Sequence, residues 1–318
     1  MIKVAILCPY PLGEAPSQRF RVEQYISWLA TQHIHATCYP FLSSSAWEIF
    51  YQSNKPLTKS LQILLGFIRR LILLVKLFSV DYVFIHREAS PVGPPVLEWL
   101  IAKVLRKRII YDFDDAIWLP NYSKQHRFIH RLKAYWKVKF IIRWAYRVSV
   151  GNEFLASYAS RYNAHVDVIP TTIDMDYHAL SAEPNRTTVP IIGWTGTHTT
   201  VDYLKPIVPA LEKLAPIHAF EFVVISNEPP SFFIPNLRFV RWNKSTEIED
   251  LSQFSIGVMP LEDTEWARGK CGFKALQYMA LGIPTIAANV GVNSTIITHG
   301  QDGFIAKTTE DWFEYLNA

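Results

Sequence analysis

Cysteine is scarce in this chain: Cys8, Cys38 and Cys271 are the only three among 318 residues. They stand far apart, with neither a paired nor a metal-ligand spacing, which excludes a disulfide scaffold and a structural zinc module. A reducing, cytoplasmic setting is the expectation. Charge is also sparse, at 19% against 49% hydrophobic residues, so a disordered chain is excluded. Long apolar runs are missing at the start. MIKVAILCPYPLG is too short in its apolar part for a secretory signal and reads as a first strand with its loop. No short-period repeat is visible. No zinc-finger, RNA-recognition or helix-turn-helix signature appears either, so no nucleic acid partner is expected.

What the chain does have is an uneven distribution of charge. Residues 1–150 carry 21 Lys and Arg against 9 Asp and Glu, a balance of +12; residues 151–318 carry 11 against 19, a balance of −8. The two halves therefore meet different partners. Within the basic half, residues 116–152 contain no acid. Lys124, Arg127, Arg131, Lys133, Lys137, Lys139, Arg143 and Arg147 alternate there with Phe128, Ile129, Tyr135, Trp136, Phe140, Ile141 and Trp144. That mixture suits a helix lying in an anionic membrane interface. Residues 61–78, LQILLGFIRRLILLVKLF, form an apolar helix with Gln62, Arg69 and Lys76 recurring every seven residues. The charges interrupt it too often for a span. Together 61–78 and 124–147 predict peripheral contact with an anionic membrane surface.

Strand and helix patterns alternate through both halves. KVAILCPYP, HIHATCYPF, VDYVFIHR, RKRIIYDFD, VSVGNEF and HVDVIPTTID read as strands of the first half, with a helix over RFRVEQYISWLATQ. PIIGWTGTH, AFEFVVIS, NLRFVRW, IGVMPL and PTIAANV read as strands of the second, with helices over 202–214 and 247–254. Such alternation implies parallel sheets covered by helices, with ligands at the carboxyl ends of the strands. The polar, proline-containing MDYHALSAEPNRTTVP marks a linker. Two domains are expected, 1–178 and 179–318.

The segment richest in chemistry is WARGKCGFKALQYMALGIPTIAANVGVN, residues 266–293. Arg268, Lys270 and Lys274 crowd the start of a short helix that Gly269 and Gly272 leave bare. Backbone amides, helix dipole and cations at one helix end all favour a diphosphate. Phe273, Leu276, Met279 and Ala280 are expected on the apolar face, with Lys274 and Gln277 together on the other.

PSQRFRVEQY, RIIYDFDDAIW, VIPTTIDMDYH and above all KCGFKALQYMALGIPTIA resemble the family-4 retaining glycosyltransferases of GT-B architecture. The resemblance runs over essentially the whole chain. It implies an α/β fold of two Rossmann-like domains whose parallel sheets face a central cleft. It further implies a C-terminal domain for a nucleotide diphosphate sugar, an N-terminal domain for a glycan or lipid-linked acceptor, and no cofactor or metal. Three departures stand out. The family's two helix glutamates fall at Gly269 and Gln277, its Arg and Lys after the first donor-domain strand are replaced by Thr197 and Tyr203, and the closing helices with which its members continue past the position of Ala318 are either absent or cut off.

On this resemblance Lys270 and Lys274 meet the phosphates, with Arg268 beside them. Gly193, Gly196 and Thr197 form a close-approach loop, His198 contacts the donor, and Gln277 takes the ribose. Asp112, Asp114 and Asp115 follow the RIIY strand at the reacting centre, with Asp114, Asp115 and Lys274 expected to be catalytic. Three carboxylates so close repel one another, so at least one is expected to have a raised pKa or a cationic partner, for which Arg19 or Arg21 is the candidate. His86, Arg87 and Glu88 line the same acceptor side. Two other readings stay open. Asp112 and Asp114 make the Asp-x-Asp of a metal-dependent transferase, and the departures would also suit a non-catalytic subunit of a membrane glycan-assembly complex.

Overall fold

Short runs of Val, Ile, Leu and Phe, bounded by Pro, Gly or Asp, become inner strands buried on both faces, the pattern of parallel sheets. The computed structural model describes residues 1–50, 55–120, 132–179 and 189–318. The chain divides into two units, Met1–Thr171 and Thr172–Ala318. The first contains β1 (Ile2–Cys8), β2 (Ile34–Pro40), β3 (Tyr82–His86), β4 (Arg108–Phe113), β5 (Arg147–Val150) and β6 (Val166–Val168). These pair in parallel in the order β2-β1-β3-β4-β5-β6. The second contains β7 (Ile191–Thr195), β8 (Glu221–Ser226), β9 (Leu237–Arg241), β10 (Ile256–Met259), β11 (Thr285–Ala288) and β12 (Phe304–Ala306). Its order is β12-β11-β10-β7-β8-β9, again parallel throughout. Each sheet thus reverses its winding once, between β1 and β3 in the first unit and between β7 and β10 in the second. Those reversals are where open parallel sheets take their ligands.

The unit boundary falls ahead of the expected 178/179 boundary. Tyr177 donates to Glu247 at 2.8 Å, and His178 lies 3.4 Å from the Gln277 amide nitrogen, so both belong with the second sheet. Residues 180–188 of the expected linker lie outside the described residues. Two expected helices are broken. Residues 19–32 form Pro16–Arg21, a 3-10 turn Glu23–Tyr25 and Ile26–Thr31, interrupted at buried Val22, whose φ of −133° is not helical. The helix expected over 202–214 begins as a 3-10 segment, His198–Ile207, and turns α only at Val208–Leu214. Pro206 has no amide to give to an α ladder there. Strand β12 and the helix Thr309–Asn317, capped reciprocally by Thr308 and Asp311, complete the second unit without having been anticipated.

Helix Pro56–Lys76 packs Gly66, Arg70 and Leu73 inward, with the Phe41 ring where a Gly66 Cβ would stand. Its opposite face carries Leu61, Leu64, Leu65, Ile68, Leu71, Ile72 and Val75, all exposed. Among the described residues no helix is long and apolar enough to cross a membrane. In the basic segment, Lys124, Arg127, Phe128, Ile129 and Arg131 lie outside the described residues. Helix Lys137–Trp144 does form, but Lys137 is not on its surface. That side chain is buried, paired with Glu88 at 2.8 Å and donating to the Ser90 carbonyl. Lys139 and Arg143 remain outside, each over the Phe140 ring.

Candidate functional site

In the second unit the site is built on β7, the strand at the reversal. Trp194 and Thr195 close this strand, and Gly196 follows, its amide donating to Ile225 at 3.0 Å. Helix Phe273–Ala280, the crossover from β10 to β11, leans on that end. The Thr195 amide donates to the Tyr278 hydroxyl at 3.0 Å, and the Lys274 amine lies 5.5 Å from the Trp194 ring centre. Lys274 and Tyr278 are four residues apart and so share one side of the helix. Burial pushes the Tyr278 phenol up, as befits a hydroxyl enclosed by the sheet.

This orientation corrects the expected faces. Ala275, Gln277 and Tyr278 are the buried residues of the helix, whereas Phe273, Leu276, Met279 and Ala280 are only half-buried. The deciding contact is Tyr278, whose ring fills the space beside Gly257 on β10. Gln277 therefore does not share a solvent face with Lys274. It is 3% exposed, and its amide nitrogen donates to Nε2 of buried His178, whose Nδ1 donates to the Asp174 carbonyl at 2.8 Å.

The helix opens at Gly272 with φ at +68°, a left-handed conformation that a side chain at this position would strain. The first helical bond runs from Leu276 to the Gly272 carbonyl. The three cations take up different positions around this entrance. Arg268 ends the short helix Glu265–Arg268 and forks both oxygens of Asp263 at 2.7 and 2.8 Å. Lys270 lies 5.3 Å from the Trp266 ring centre, and Lys274 lies against β7. The expected close-approach loop starts only at Gly196. Gly193 sits inside β7, where a Cβ would meet the Phe254 ring at 2.1 Å, so packing explains that glycine. Thr197 caps the following 3-10 segment in a reciprocal box with Thr200. His198 is bound to Asn227, which accepts from its amide at 2.8 Å and meets its ring nitrogen at 2.7 Å.

In the first unit the ends of β3, β4 and β5 meet the loop after β1. Asp112 is 1% exposed and surrounded by donors: Arg21, His86 Nδ1 at 2.9 Å, and the Ser149 hydroxyl at 2.8 Å. Burial by itself would raise this carboxyl, but the Arg21 guanidinium and His86 outweigh it and hold it at about 2. A proton on His86 Nδ1 facing Asp112 leaves Nε2 as the acceptor, and the Ser17 hydroxyl lies 3.4 Å from it. Of the two arginines expected beside the acids, Arg21 is the partner of Asp112. Arg19 is buried with its guanidinium over the Phe20 ring.

Asp114 and Asp115 are served by Arg87 instead. Its Nε donates to Asp114 at 2.9 Å and its Nη2 to Asp115. Burial would lower Arg87, but these two carboxylates raise it well above the ordinary guanidinium range. Arg87 sits at φ +60°, with the Tyr111 hydroxyl donating to its carbonyl at 2.7 Å. Glu88 is tied to Lys137. The carboxylates of the Asp-x-Asp thus engage different arginines, and among the described residues no group of three or more His, Cys, Asp or Glu could hold a metal ion.

Residues 189–318 match the family of glycosyl transferases group 1. That stretch contains β7 to β12 and the Lys274 helix. The whole chain also shares its fold with solved glycosyltransferase structures. Sucrose-phosphate synthase from Thermosynechococcus elongatus aligns over 100% of this chain and 89% of its own at 14% identity, with a TM-score of 0.70. Anabaena HepE in complex with UDP-glucose aligns over 100% and 89% at 11% identity, with a TM-score of 0.65. The catalytic domain of starch synthase IV from Arabidopsis thaliana, bound to ADP and acarbose, aligns over 99% and 90% at 10% identity, with a TM-score of 0.68. No curated protein matches the chain in sequence. The fold is therefore the two-unit α/β fold of the GT-B glycosyltransferases.

Sequence reasoning passed over Ser17, Ser149, His178, Trp194 and Tyr278. One signal was available: Tyr278 stands four residues after Lys274, so whatever Lys274 faces, Tyr278 faces too. The serines and His178 carry no such pattern, because strands and segments far apart in sequence bring them to their partners.

Proposed function

We propose that this protein is a glycosyltransferase that moves a sugar from a nucleotide diphosphate sugar to a glycan or lipid-linked acceptor, with retention and without a metal. The reading is carried by the Lys274 end of helix Phe273–Ala280, laid against β7 at the reversal of strand order, within the family-matched segment. Relatives in fold that bind UDP-glucose or ADP support a nucleotide-linked donor.

In the reaction the bond from the sugar's anomeric carbon to the diphosphate breaks. A bond to the acceptor oxygen forms on the same face, and the acceptor proton passes to the departing phosphate. Lys270, Lys274 and the first amides of the helix stabilise the charge growing on the diphosphate. Arg268 stands beside them, and Gly196, Thr197 and His198 border the donor. In the first unit, His86 Nε2 and the Ser17 hydroxyl position the acceptor hydroxyl, with Asp112 fixing the imidazole. Asp114 and Asp115, paired with Arg87, accept hydrogen bonds from neighbouring sugar hydroxyls.

Thermal denaturation with a panel of nucleotide sugars tests the donor half. One of them should stabilise the protein, by about 2.7 kcal/mol at a concentration 100 times its Kd. Transfer to the matching acceptor should persist in EDTA and give a product of unchanged anomeric configuration. Stabilisation by none of the panel refutes the donor site. Loss of transfer in EDTA with recovery in Mg²⁺ favours the Asp-x-Asp reading instead.

We also propose that the first unit rests on the anionic inner face of a membrane through the exposed stripe of Pro56–Lys76 and the outer face of Lys137–Trp144. The protein should float with phosphatidylglycerol–phosphatidylcholine vesicles, and Lys139→Glu/Arg143→Glu should weaken this several-fold. Sedimentation of wild type away from such vesicles would refute the contact.

A further inference from the structure

Helix Pro56–Lys76 is amphipathic in an inverted sense. The exposed apolar residues Leu61, Leu64, Leu65, Ile68, Leu71, Ile72 and Val75 recur at helical spacing, while the inward stripe holds a charge, Arg70. Arg70 is a brace: it donates to the carbonyls of Cys8, Tyr39 and Ala89 at 2.6–2.8 Å. Burial lowers it to about 10, which leaves it charged at neutral pH.

Beside this brace, between the helix and the carboxyl end of β2, lies a cavity of about 590 Å³. Tyr39, Ser43, Arg69, Arg70, Ile72 and Lys76 are among the residues that line it, and among the described residues the lining contains no carboxylate. Arg69 differs from Arg70 in a telling way. Its Nε and Nη2 are buried and have no hydrogen-bond partner among the described residues. Leaving two buried guanidinium N–H groups unpaired is costly, and an anion in the adjoining cavity would offset that cost. Arg69 and Lys76, seven residues apart, lie two turns apart along one edge of the apolar stripe. Ile72 belongs to both surfaces, since it lines the cavity and is 60% exposed.

We propose that this cavity binds the phosphate head of an anionic amphiphile, with Arg69 and Lys76 supplying the charge and the apolar stripe receiving the tail. A small free anion would use only the head contacts and bind more weakly. The site deepens the membrane reading of the first unit and rests on it, but is independent of glycosyl transfer.

The test uses the full chain with decyl phosphate below its micelle concentration, followed by titration calorimetry, so that no bilayer is involved. Wild type should bind decyl phosphate at least tenfold more tightly than inorganic phosphate or the uncharged decyl maltoside. Arg69→Gln and, separately, Lys76→Gln should each weaken decyl phosphate at least several-fold while leaving nucleotide-sugar stabilisation unchanged. That last readout also shows that the variants fold. Arg70 is left intact because its three carbonyl bonds hold the sheet edge. Equal binding of decyl phosphate by wild type and both variants would overturn the site even if vesicle flotation persists. So would equal affinity for decyl maltoside, or burial of the stripe in a dimer of this chain that decyl phosphate does not dissociate.

Discussion

Replacing Lys274 by Ala should lower kcat/KM for sugar transfer by about 100- to 1,000-fold, roughly 3–4 kcal/mol of transition-state stabilisation. This is the range lost when one preorganised donor is removed from a site of developing negative charge. Folding should hardly respond. The amine's contact with Trp194, at 5.5 Å from the ring centre, is worth only about 0.5–1 kcal/mol. Activity and stability thus separate. Transfer rates measured beside a melting curve will show a large fall in the first and a small shift in the second. If kcat/KM stays within threefold of wild type, Lys274 is merely a cover for Trp194 and the leaving-group role is lost.

Asp112→Ala should be the most destabilising single change in the first unit. It strips the counter-charge from Arg21, whose side chain is only 3% exposed, and removes the acceptor that fixes His86 and Ser149. Removing one member of a buried ion pair costs about 3–5 kcal/mol, because the survivor stays enclosed and unmatched. Arg21→Leu in the same background should restore part of the loss, and amide exchange in β3, β4 and β5 will report it locally. A cost below about 1 kcal/mol would show that the cluster contributes little. The pair also sets an acid limit. Asp112 lies near 2 when folded and near 3.9 when unfolded, so its contribution is complete above about pH 4 and lost as pH falls toward 2. Asp112→Ala should therefore flatten stability across that window.

Most strands were legible because parallel strands buried on both faces are written as unbroken aliphatic runs, as in VDYVFIHR and AFEFVVIS. Phe304–Ala306 escaped notice because its three residues stand between the polar GQDG and KTTE, with no longer apolar run around them. The cationic segment was legible as composition, as was a glycine-opened helix start, which the structure puts at Gly272. Its orientation was not. Apolar periodicity pointed to Phe273, Leu276 and Met279, but the sheet accepted Tyr278 through a hydroxyl bond to a backbone amide, which no hydropathy pattern encodes. Lys137 read as a surface cation because its partner Glu88 lies on another element. The acids at the end of β4 were visible as a group, yet their division between Arg21 and Arg87 depends on which way alternate side chains leave a strand end. Local chemistry can be read from order along the chain, whereas pairing across elements cannot.

The bond from the Thr195 amide to Tyr278 means that the strand end and the helix entrance are not two movable walls. A ligand arriving there meets amides whose directions were set when the sheet formed, so little ordering entropy is spent at the moment of binding. The same tie carries a vulnerability: Tyr278→Phe keeps the ring but orphans a backbone amide, and any slackness in β7 is transmitted to the proposed diphosphate site.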